Sequence, residues 1–487
     1  MLVITTNQND FEVDIYSLVK AFYPTEDVKV YLGDDYYETS SSPGLPDINI
    51  YFLDNRILLT IHDHETDKKL NATGIDTAGL VNRLEVKNAL KQLLYCGLSD
   101  HTGMNLPWGA LTGIRPVKIP MKLLEQGLGD DDIIRHMQEF YFCRDDKARL
   151  ALRIAKKERE ILSGTDLNDS FSLYIAIPFC PTTCLYCSFT SYPIAKYDHM
   201  VNDYLKAIFK EIDFIADLYK NKRLLTIYIG GGTPTTLSAN ILESLLNKIC
   251  QSFDLCHLLE YTVEAGRPDS LDREKLEVMS KYYVNRISIN PQSMNDETLR
   301  IIGRNHTVKQ VCETFSLARE TGFTNINMDI ILGLPGETIT EVGRTIKAIS
   351  ELKPDSLTVH SLAIKRAAKL TDWVNKNGIE TLENTDEMMK AASICADTLG
   401  MYPYYLYRQK NITGNFENVG YATPGKEGLY NILMMEEIQT IAALGAGSIS
   451  KRVHNASNIK RSDNPKEVEQ YINRIDEMID RKRRLLV

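Results

Sequence analysis

Three of the nine cysteines, Cys180, Cys184 and Cys187, fall within a single short loop of this sequence. Spacings of four and three residues, on a loop that contains Pro178 and Pro181, let three thiols converge on one centre. A structural zinc ion needs four ligands, and no clear fourth ligand follows. Three thiolates suit a 4Fe-4S cluster with one open iron, so the spacing favours an iron–sulfur site over zinc or unrelated thiols.

The composition limits the classes of protein to consider. At about 150 residues per domain, 487 residues allow two to four domains. The net charge of -9 disfavours a nucleic-acid partner, and 25% charged residues disfavour a disordered or fibrous chain. No apolar run is long enough for a membrane span, and the first residues lack the basic charge of a signal peptide. We therefore expect a cytoplasmic protein.

The pattern of apolar residues predicts an α/β fold in three parts. Residues 1–164 predict an N-terminal α+β domain with a hairpin at Ile48–Leu53 and Arg56–His62. Residues 165–365 alternate strand and helix six times, which predicts a partial (β/α)6 TIM-like barrel of parallel strands. Residues 366–487 predict a mostly helical C-terminal domain.

Each predicted barrel strand is a short apolar run followed by a helical pattern. The six strands are expected at Ser172–Ile177, Leu224–Ile229, Tyr261–Val263, Val284–Ile289, Asn327–Leu332 and Ser356–His360.

Further residues suited to chemistry follow these strands. Gly230-Gly-Gly-Thr-Pro-Thr235 comes after the second strand, and its glycines permit close approach of a ligand to the backbone. Glu264 ends the third strand, while Gln292 and Arg304 follow the fourth. Asp329 lies inside an apolar strand, where a carboxylate must be paired or bind something. Because barrel chemistry occurs at the carboxyl ends of strands, we expect these side chains to meet there.

Together, these motifs resemble one branch of the radical S-adenosylmethionine (SAM) superfamily. The lead-in Tyr-x-x-Ile-Pro-Phe-Cys, the Gly-Gly-Gly-Thr-Pro-Thr turn, Gln292, Arg304 twelve residues later and Asp329 before Gly-Leu-Pro resemble oxygen-independent coproporphyrinogen III oxidases, the HemN-like family. The resemblance covers about Ser172 to Ser450. It is strongest to the HemZ-type coproporphyrinogen dehydrogenase branch, and it implies that the C-terminal domain covers the substrate.

The resemblance implies a role for each matching position. The 4Fe-4S ligands would be Cys180, Cys184 and Cys187. Contacts to the cluster-bound SAM would come from Tyr174, Gly231, Glu264 and Ile449, with Tyr174 and Glu264 also assigned as catalytic. Contacts to a second SAM would come from Tyr186, Gly232, Thr233, Gln292, Arg304, Asp329 and Ala363, so one or two SAM molecules are expected.

The implied reaction is oxidative decarboxylation of coproporphyrinogen III propionates to vinyl groups, with an electron donor such as flavodoxin or ferredoxin. The reference oxidase has a fourth cysteine two positions after the third, where this chain has Phe189. Alternatives are therefore another radical SAM reaction on a tetrapyrrole, such as methyl transfer or anaerobic haem degradation, or a haem-binding chaperone.

The candidate cations for propionate binding are Lys365, Arg366, Arg408 and Lys410.

Overall fold

The computed structural model describes residues 1–33, 40–63, 68–365, 368–455 and 458–487. The chain forms two compact units, one of Met1–Ala155 with Arg408–Glu417 and the other of Lys156–Tyr407 with Asn418–Val487. The predicted three-part division at residues 164 and 365 stays a prediction. Arg366, one of the predicted propionate cations, lies outside the described residues.

The first unit contains a five-stranded mixed sheet in the order β2-β1-β3-β4-β5. Strand β3 pairs antiparallel with β4, so the predicted hairpin is confirmed. The elements that begin in this unit are β1 (Leu2–Thr6), α1 (Glu12–Phe22), β2 (Val28–Leu32), β3 (Asp47–Leu53), β4 (Arg56–Asp63), β5 (Lys68–Asp76), α2 (Arg83–Thr102), α3 (Lys118–Glu125), α4 (Asp130–Tyr141) and α5 (Asp145–Ser163).

The strands of the second unit belong to one large sheet, apart from a two-stranded ribbon of β7 and β8. They are β6 (Ser170–Ile177), β7 (Phe179–Cys180), β8 (Tyr192–Pro193), β9 (Arg223–Gly231), β10 (Glu260–Glu264), β11 (Arg286–Ser288), β12 (Ile326–Leu332), β13 (Ser356–Ser361), β14 (Tyr402–Tyr407), β15 (Asn418–Ala422), β16 (Ile441–Leu444), β17 (Ile449–Asn455) and β18 (Asn458–Asp463).

The second unit's helices mostly connect these strands. They are α6 (Ile194–Tyr197), α7 (Val201–Leu218), α8 (Ala239–Ser252), α9 (Arg273–Lys281), α10 (Asp296–Ile301), α11 (Val308–Glu320), α12 (Ile339–Leu352), α13 (Leu370–Asn377), α14 (Asp386–Thr398), α15 (Leu429–Glu436), α16 (Val468–Asn473) and α17 (Ile475–Leu486). Short 3-10 helices cover Asp198–Met200, Pro234–Thr236, Pro268–Ser270, Ile379–Thr381 and Thr413–Asn415. Within the described ranges, no helix is both long and apolar enough to cross a bilayer.

The large sheet has the order β14-β15-β13-β12-β11-β10-β9-β6-β16-β17-β18. Neighbours from β13 to β16 pair in parallel, and the four outer strands pair antiparallel. The six predicted strands and the helices between them are all present, so the predicted partial barrel is confirmed. The parallel arrangement brings every loop that carries a predicted site residue to the same edge of the sheet.

The region after residue 365 is a correction to the sequence analysis, which predicted a mostly helical domain. It also contributes five strands, and β16 pairs with β6 as a seventh parallel strand, with Ile441 opposite Ser172. Strand β16 has only four residues, all buried. So short an apolar run becomes a strand through pairing with a partner far away in sequence, which local periodicity does not reveal.

A buried ion pair attaches the C-terminal helix to the barrel. Glu211 of α7 is fully buried and accepts hydrogen bonds from Lys482 and Tyr471, both at 2.5 Å. Its second oxygen also accepts the backbone N–H of Gly445 at 2.8 Å. The carboxylate is thus compensated by side chains and backbone, and the Gly445 loop is fixed at the end of β16.

We predict that Lys482→Met reduces the free energy of unfolding by about 3–5 kcal/mol, because it leaves the Glu211 carboxylate buried without its cation. Urea denaturation at neutral pH measures this change. The control is Arg483→Met on the same helix, whose side chain is 58% exposed and whose loss should change stability by less than about 0.5 kcal/mol. Equal effects of the two substitutions would contradict the prediction.

Candidate active site

The three cysteines lie on the loop that follows β6. Cys184 is buried, while Cys180 and Cys187 are partly exposed, and all three are free thiols. Two hydrogen bonds hold this loop against the segment after α10: the Leu185 N–H donates to Ile302 O at 2.9 Å, and Thr182 Oγ1 donates to Gly303 O at 3.0 Å. These bonds hold the loop against the segment after α10.

The glycine segment after β9 contacts the cysteine loop through its backbone. The N–H of Gly232 donates to Ile177 O at 2.8 Å, and that of Thr233 donates to Phe179 O at 2.8 Å. A Cβ atom on Gly232 would lie 2.6 Å from Phe179 O, and Gly231 has a φ of +99° that favours glycine. Close approach of the cysteine loop thus explains Gly232, and contacts of Gly231 and Gly232 with SAM stay predictions.

The thiols lie among buried hydrogen-bond donors and cations. Burial raises the pKa of Cys180 to about 11, although Thr233 Oγ1 lies 3.5 Å from its sulfur and lowers the value. Burial also raises the pKa of Cys187, and the charge of Lys365 acts in the opposite direction. Arg267 Nη1 is 3.6 Å from Cys184 Sγ. Burial outweighs these donors, so Cys180 and Cys187 keep their protons in the free protein, and the donors would stabilise the thiolates once a metal centre displaces those protons.

Glu264 ends β10 inside a hydrogen-bonded group. It accepts a hydrogen bond from the Tyr228 hydroxyl, and Asn290 Nδ2 donates to its second oxygen at 3.1 Å. Burial, followed by the charge of Asp329, raises the pKa of Glu264 to about 7. The Glu264 carboxyl can therefore hold or release a proton near neutral pH.

The pKa of Asp329 is shifted in the opposite direction, below its ordinary value. Burial alone would raise its pKa, but His360, Asn327 and Thr358 together lower it. Asn327 Nδ2 donates to Asp329 Oδ1 at 2.7 Å, and His360 Nε2 lies 3.5 Å from Oδ2. The two neighbouring carboxyls thus differ, with Asp329 ionised and Glu264 able to retain its proton.

Several buried polar atoms at this edge make no hydrogen bond within the described part of the chain. They are Gln292 Oε1, Arg304 Nε and Asn290 Oδ1. Gln292 also has a φ of +68°, a conformation uncommon for any residue except glycine. Asn290 is hydrogen-bonded to Glu264 and Arg304, and Arg304 lies close to Cys184. Unsatisfied buried polar atoms are costly, and their concentration at this edge of the sheet indicates a polar ligand.

Of the remaining predicted residues, Tyr174 and Tyr186 lie beside residues of this site, and Ala363 and Ile449 have no such contact among those described above. The Tyr174 ring stacks on Tyr228 and Tyr430, with centroids 6.2 and 6.1 Å apart. Tyr186 lies beside Arg304, whose guanidinium also lies close to Cys184. Ala363 is buried after β13, and Ile449 begins β17 with 48% of its surface exposed. The contacts described above do not reach Ala363 or Ile449, so their roles stay predictions.

Several residues of this site were not identified from the sequence. They are Tyr228, Arg267, Asn290, His360 and Tyr430. The position of Tyr228 in the sequence weakly indicates a site residue, because it lies two residues before the glycine segment and so shares a strand face with Gly230. No local sequence pattern indicates Arg267, since its partner Cys184 lies 83 residues earlier.

The predicted propionate cations have different environments. Arg408 is buried in the first unit, where its guanidinium donates to the carbonyl oxygens of Leu111, Phe416 and Asn415, and burial lowers its pKa to about 10. These backbone contacts correct the proposal that Arg408 binds propionate. Lys365 is half-buried, with its ammonium 5.7 Å from the centre of the Phe189 ring.

A tyrosine-rich segment follows α14 in the second unit. Tyr402–Tyr407 forms the edge strand β14, and Tyr404 and Tyr405 are buried in an apolar cluster with Ile432 and Ala422. Packing, rather than stacking on a tetrapyrrole, accounts for these two rings.

Comparison with known proteins gives consistent relatives. Residues 174–349 match the family model described as the radical SAM superfamily. The chain is 42% identical over 405 residues to the oxygen-independent coproporphyrinogen-III oxidase-like protein HemZ of Bacillus subtilis, covering 82% of this chain and 80% of that protein. It is 33% identical over 280 residues to the haem chaperone HemW of Lactococcus lactis, covering 57% and 68%.

A solved structure shows the same fold. Coproporphyrinogen III oxidase (HemN) of Escherichia coli superposes with a TM-score of 0.52 and 22% identity, covering 66% of this chain and 73% of that chain. The predicted family resemblance and the predicted fold class are therefore confirmed.

We predict that Gly232→Ala destabilises the protein by about 1–3 kcal/mol and lowers the iron content after reconstitution, because the new Cβ displaces the cysteine loop. Thermal unfolding and iron analysis measure the two effects. Gly343→Ala is the control: Gly343 is an exposed residue of α12, and a Cβ added there would have no neighbouring atom within 4 Å, so this variant should keep full iron content. Full iron content in Gly232→Ala would contradict the prediction.

Glu264 predicts a pH dependence of stability. In the unfolded chain, Glu264 loses its proton above its ordinary pKa of 4.5. In the folded protein, Glu264 keeps this proton until about pH 7. The folded state binds more protons in this window, so its stability falls as pH rises through it. Glu264→Gln should flatten the decrease in Tm between pH 5 and pH 8, and the exposed Glu274→Gln should not. Parallel Tm curves for wild type and Glu264→Gln would contradict this expectation.

Proposed function

Since the chain belongs to the radical SAM family of oxygen-independent coproporphyrinogen-III oxidase-like proteins, we propose that it converts coproporphyrinogen III propionates to vinyl groups. The superfamily uses a 4Fe-4S cluster and SAM, and the proposal assigns the cluster to Cys180, Cys184 and Cys187. The tetrapyrrole would be the substrate, and a one-electron donor protein would be the partner.

The residues present fit such a cluster. Three free thiols come from one loop, and a cube of four irons takes three of them while leaving one iron open. Arg267, Arg304 and Lys365 lie close enough to the thiols to affect their charge. Cations at these positions would balance the negative charge that three thiolates bring to a buried site.

The observation that carries the proposal is the group of unsatisfied polar atoms at the sheet edge that also carries the cysteines. Gln292 Oε1, Arg304 Nε and Asn290 Oδ1 are buried and have no partner among the described residues. A ligand with amino, carboxylate and hydroxyl groups would supply these partners, and SAM has all three.

When bound, the cluster and SAM would supply an electron and a 5′-deoxyadenosyl radical that removes a hydrogen atom from the propionate β-carbon. Each propionate that reacts would lose that hydrogen atom to the radical, CO2, and one further electron to an external one-electron acceptor, which leaves the vinyl group. The protein's own contribution is to orient the ligands and to exclude water. Asp329 supplies a fixed negative charge. The Glu264 carboxyl can be protonated while it stays hydrogen-bonded to the Tyr228 hydroxyl.

Phe189 and Lys365 support a role in substrate binding. The Phe189 ring is 69% exposed directly after the cysteine loop, and the Lys365 ammonium lies 5.7 Å from its centroid. An exposed aromatic face next to a cation suits a tetrapyrrole that carries propionates. In this proposal, Phe189 takes the position of the oxidase cysteine as a contact surface for the substrate.

A haem chaperone is the second candidate, because HemW proteins are among the relatives. The HemW-type His-Asn-x-x-Tyr-Trp motif is replaced here by Glu417-Asn418-Val-Gly-Tyr421-Ala422. Glu417 is 1% exposed and pairs with Lys147 at 2.7 Å, within the first unit. A buried, ion-paired glutamate at the position of the motif's histidine is a poor haem ligand, so the oxidase proposal is favoured.

We predict that the reconstituted protein, given coproporphyrinogen III, SAM and dithionite without oxygen, releases 5′-deoxyadenosine and CO2 and forms a vinyl product. Mass spectrometry measures all three. Cys180→Ala should lose activity at least about 100-fold, as expected when a ligand of a cofactor is removed. Cys312→Ala, which replaces a partly buried cysteine on α11, should retain it.

The products separate the alternatives. Deoxyadenosine without CO2 would overturn the decarboxylation and favour another radical SAM reaction. Stoichiometric haem binding without deoxyadenosine would overturn the enzyme assignment in favour of the chaperone.

A further inference from the structure

Arg267 contacts the cysteine loop from the segment that follows β10. Its side chain is 3% exposed, and its Nη1 donates to Thr182 Oγ1 at 3.0 Å and lies 3.6 Å from Cys184 Sγ. Arg267 thus reaches the loop at two points, a hydroxyl and a sulfur. Neither the sequence motifs nor the implied SAM contacts include this residue.

A carboxylate fixes the orientation of this guanidinium. Arg267 Nε donates to Asp269 Oδ1 at 2.9 Å, and Nη2 donates to Oδ2 at 2.7 Å. The imidazole of His306, fully buried, also lies near Asp269, with Nδ1 3.8 Å from Oδ1. Such a two-armed pairing leaves Nη1 directed to the cysteine loop, because the guanidinium is planar and rigid.

The three thiols therefore have different surroundings. Cys184 lies beside two buried arginines, Arg267 and Arg304. Cys180 has the neutral hydroxyl of Thr233 at 3.5 Å. Two arginines thus lie beside the most buried of the three sulfurs, where the local dielectric constant is lowest and a charge has its largest effect.

We propose that Arg267, oriented by Asp269, is a positioning residue that makes the cluster of the proposed function easier to reduce. The reduction is the transfer of one electron from an external one-electron reductant to the cluster, and no proton or bond is exchanged. Reduction adds one negative charge, so a cation that donates an N–H to a ligand sulfur stabilises the reduced form more than the oxidised form. The inference rests on the cluster, but not on the identity of the substrate.

The test uses the full-length reconstituted protein without SAM or substrate, titrated with dithionite and followed by electron paramagnetic resonance. Arg267→Met should lower the equilibrium constant for reduction about tenfold, a shift of about 59 mV to more negative potential. Asp269→Asn keeps one oxygen that accepts from the Arg267 guanidinium but removes the compensating negative charge, so it should shift the potential in the opposite direction. Opposite shifts distinguish an electrostatic role from a merely structural one, which would loosen the loop in both variants.

The matched control is Arg319→Met. Arg319 also pairs with a carboxylate of the barrel, Asp355 at 2.6 Å, and its contacts do not include the cysteine loop. This variant should lose stability in thermal unfolding but keep the wild-type potential. If Arg267→Met does not retain iron, Arg267→Lys keeps the charge but loses the paired donors that hold it against Asp269 and Cys184, so its equilibrium constant for reduction should fall by about threefold.

The outcomes are distinct. A wild-type potential in an iron-loaded Arg267→Met or Arg267→Lys protein, or equal shifts in Arg267→Met and Asp269→Asn, would overturn the inference alone. A wild-type chain that binds no iron after reconstitution would overturn the proposed function, and this inference with it.

Discussion

The site depends on the continued pairing of β6 and β9 beyond their last residues. The backbone of Gly232 and Thr233 donates hydrogen bonds to the segment that leads into the cysteines, at distances that exclude a side chain on Gly232. The cysteine loop and the glycine segment are therefore joined through their backbones. The position of the three sulfurs follows from this strand pair, and Thr182 and Leu185 then attach the loop to the segment after α10.

Buried charges dominate the rest of the site, and each has a compensating partner. Glu264 and Asp329 are neighbouring carboxyls whose pKa values shift in opposite directions, because His360 stabilises the charge on Asp329 while Tyr228 and Asn290 surround Glu264. Protein interiors tolerate two such groups only when one can remain neutral. The site can thus hold a cationic or protonated ligand group without a large change in its own structure.

Local sequence patterns predicted the helices and the parallel strands from β6 to β13, since alternation of apolar runs and amphipathic stretches is a local property. They also indicated most of the polar residues at the strand ends. Strand β16, Arg267 and the buried Lys482 were not predicted, because their partners Ser172, Cys184 and Glu211 lie far away in the sequence. Arg408 failed as a predicted ligand contact for the same reason: whether an arginine faces substrate or backbone carbonyls depends on tertiary packing.

The long separation between Glu211 and Lys482 has a consequence for biosynthesis. The two residues are 271 positions apart, so at about 5–20 residues per second the ribosome needs on the order of tens of seconds to deliver the lysine after the glutamate. During that interval, β6 also lacks its neighbour β16. The nascent second unit therefore exposes an unpaired strand edge and an uncompensated carboxylate, and its core closes only late in translation.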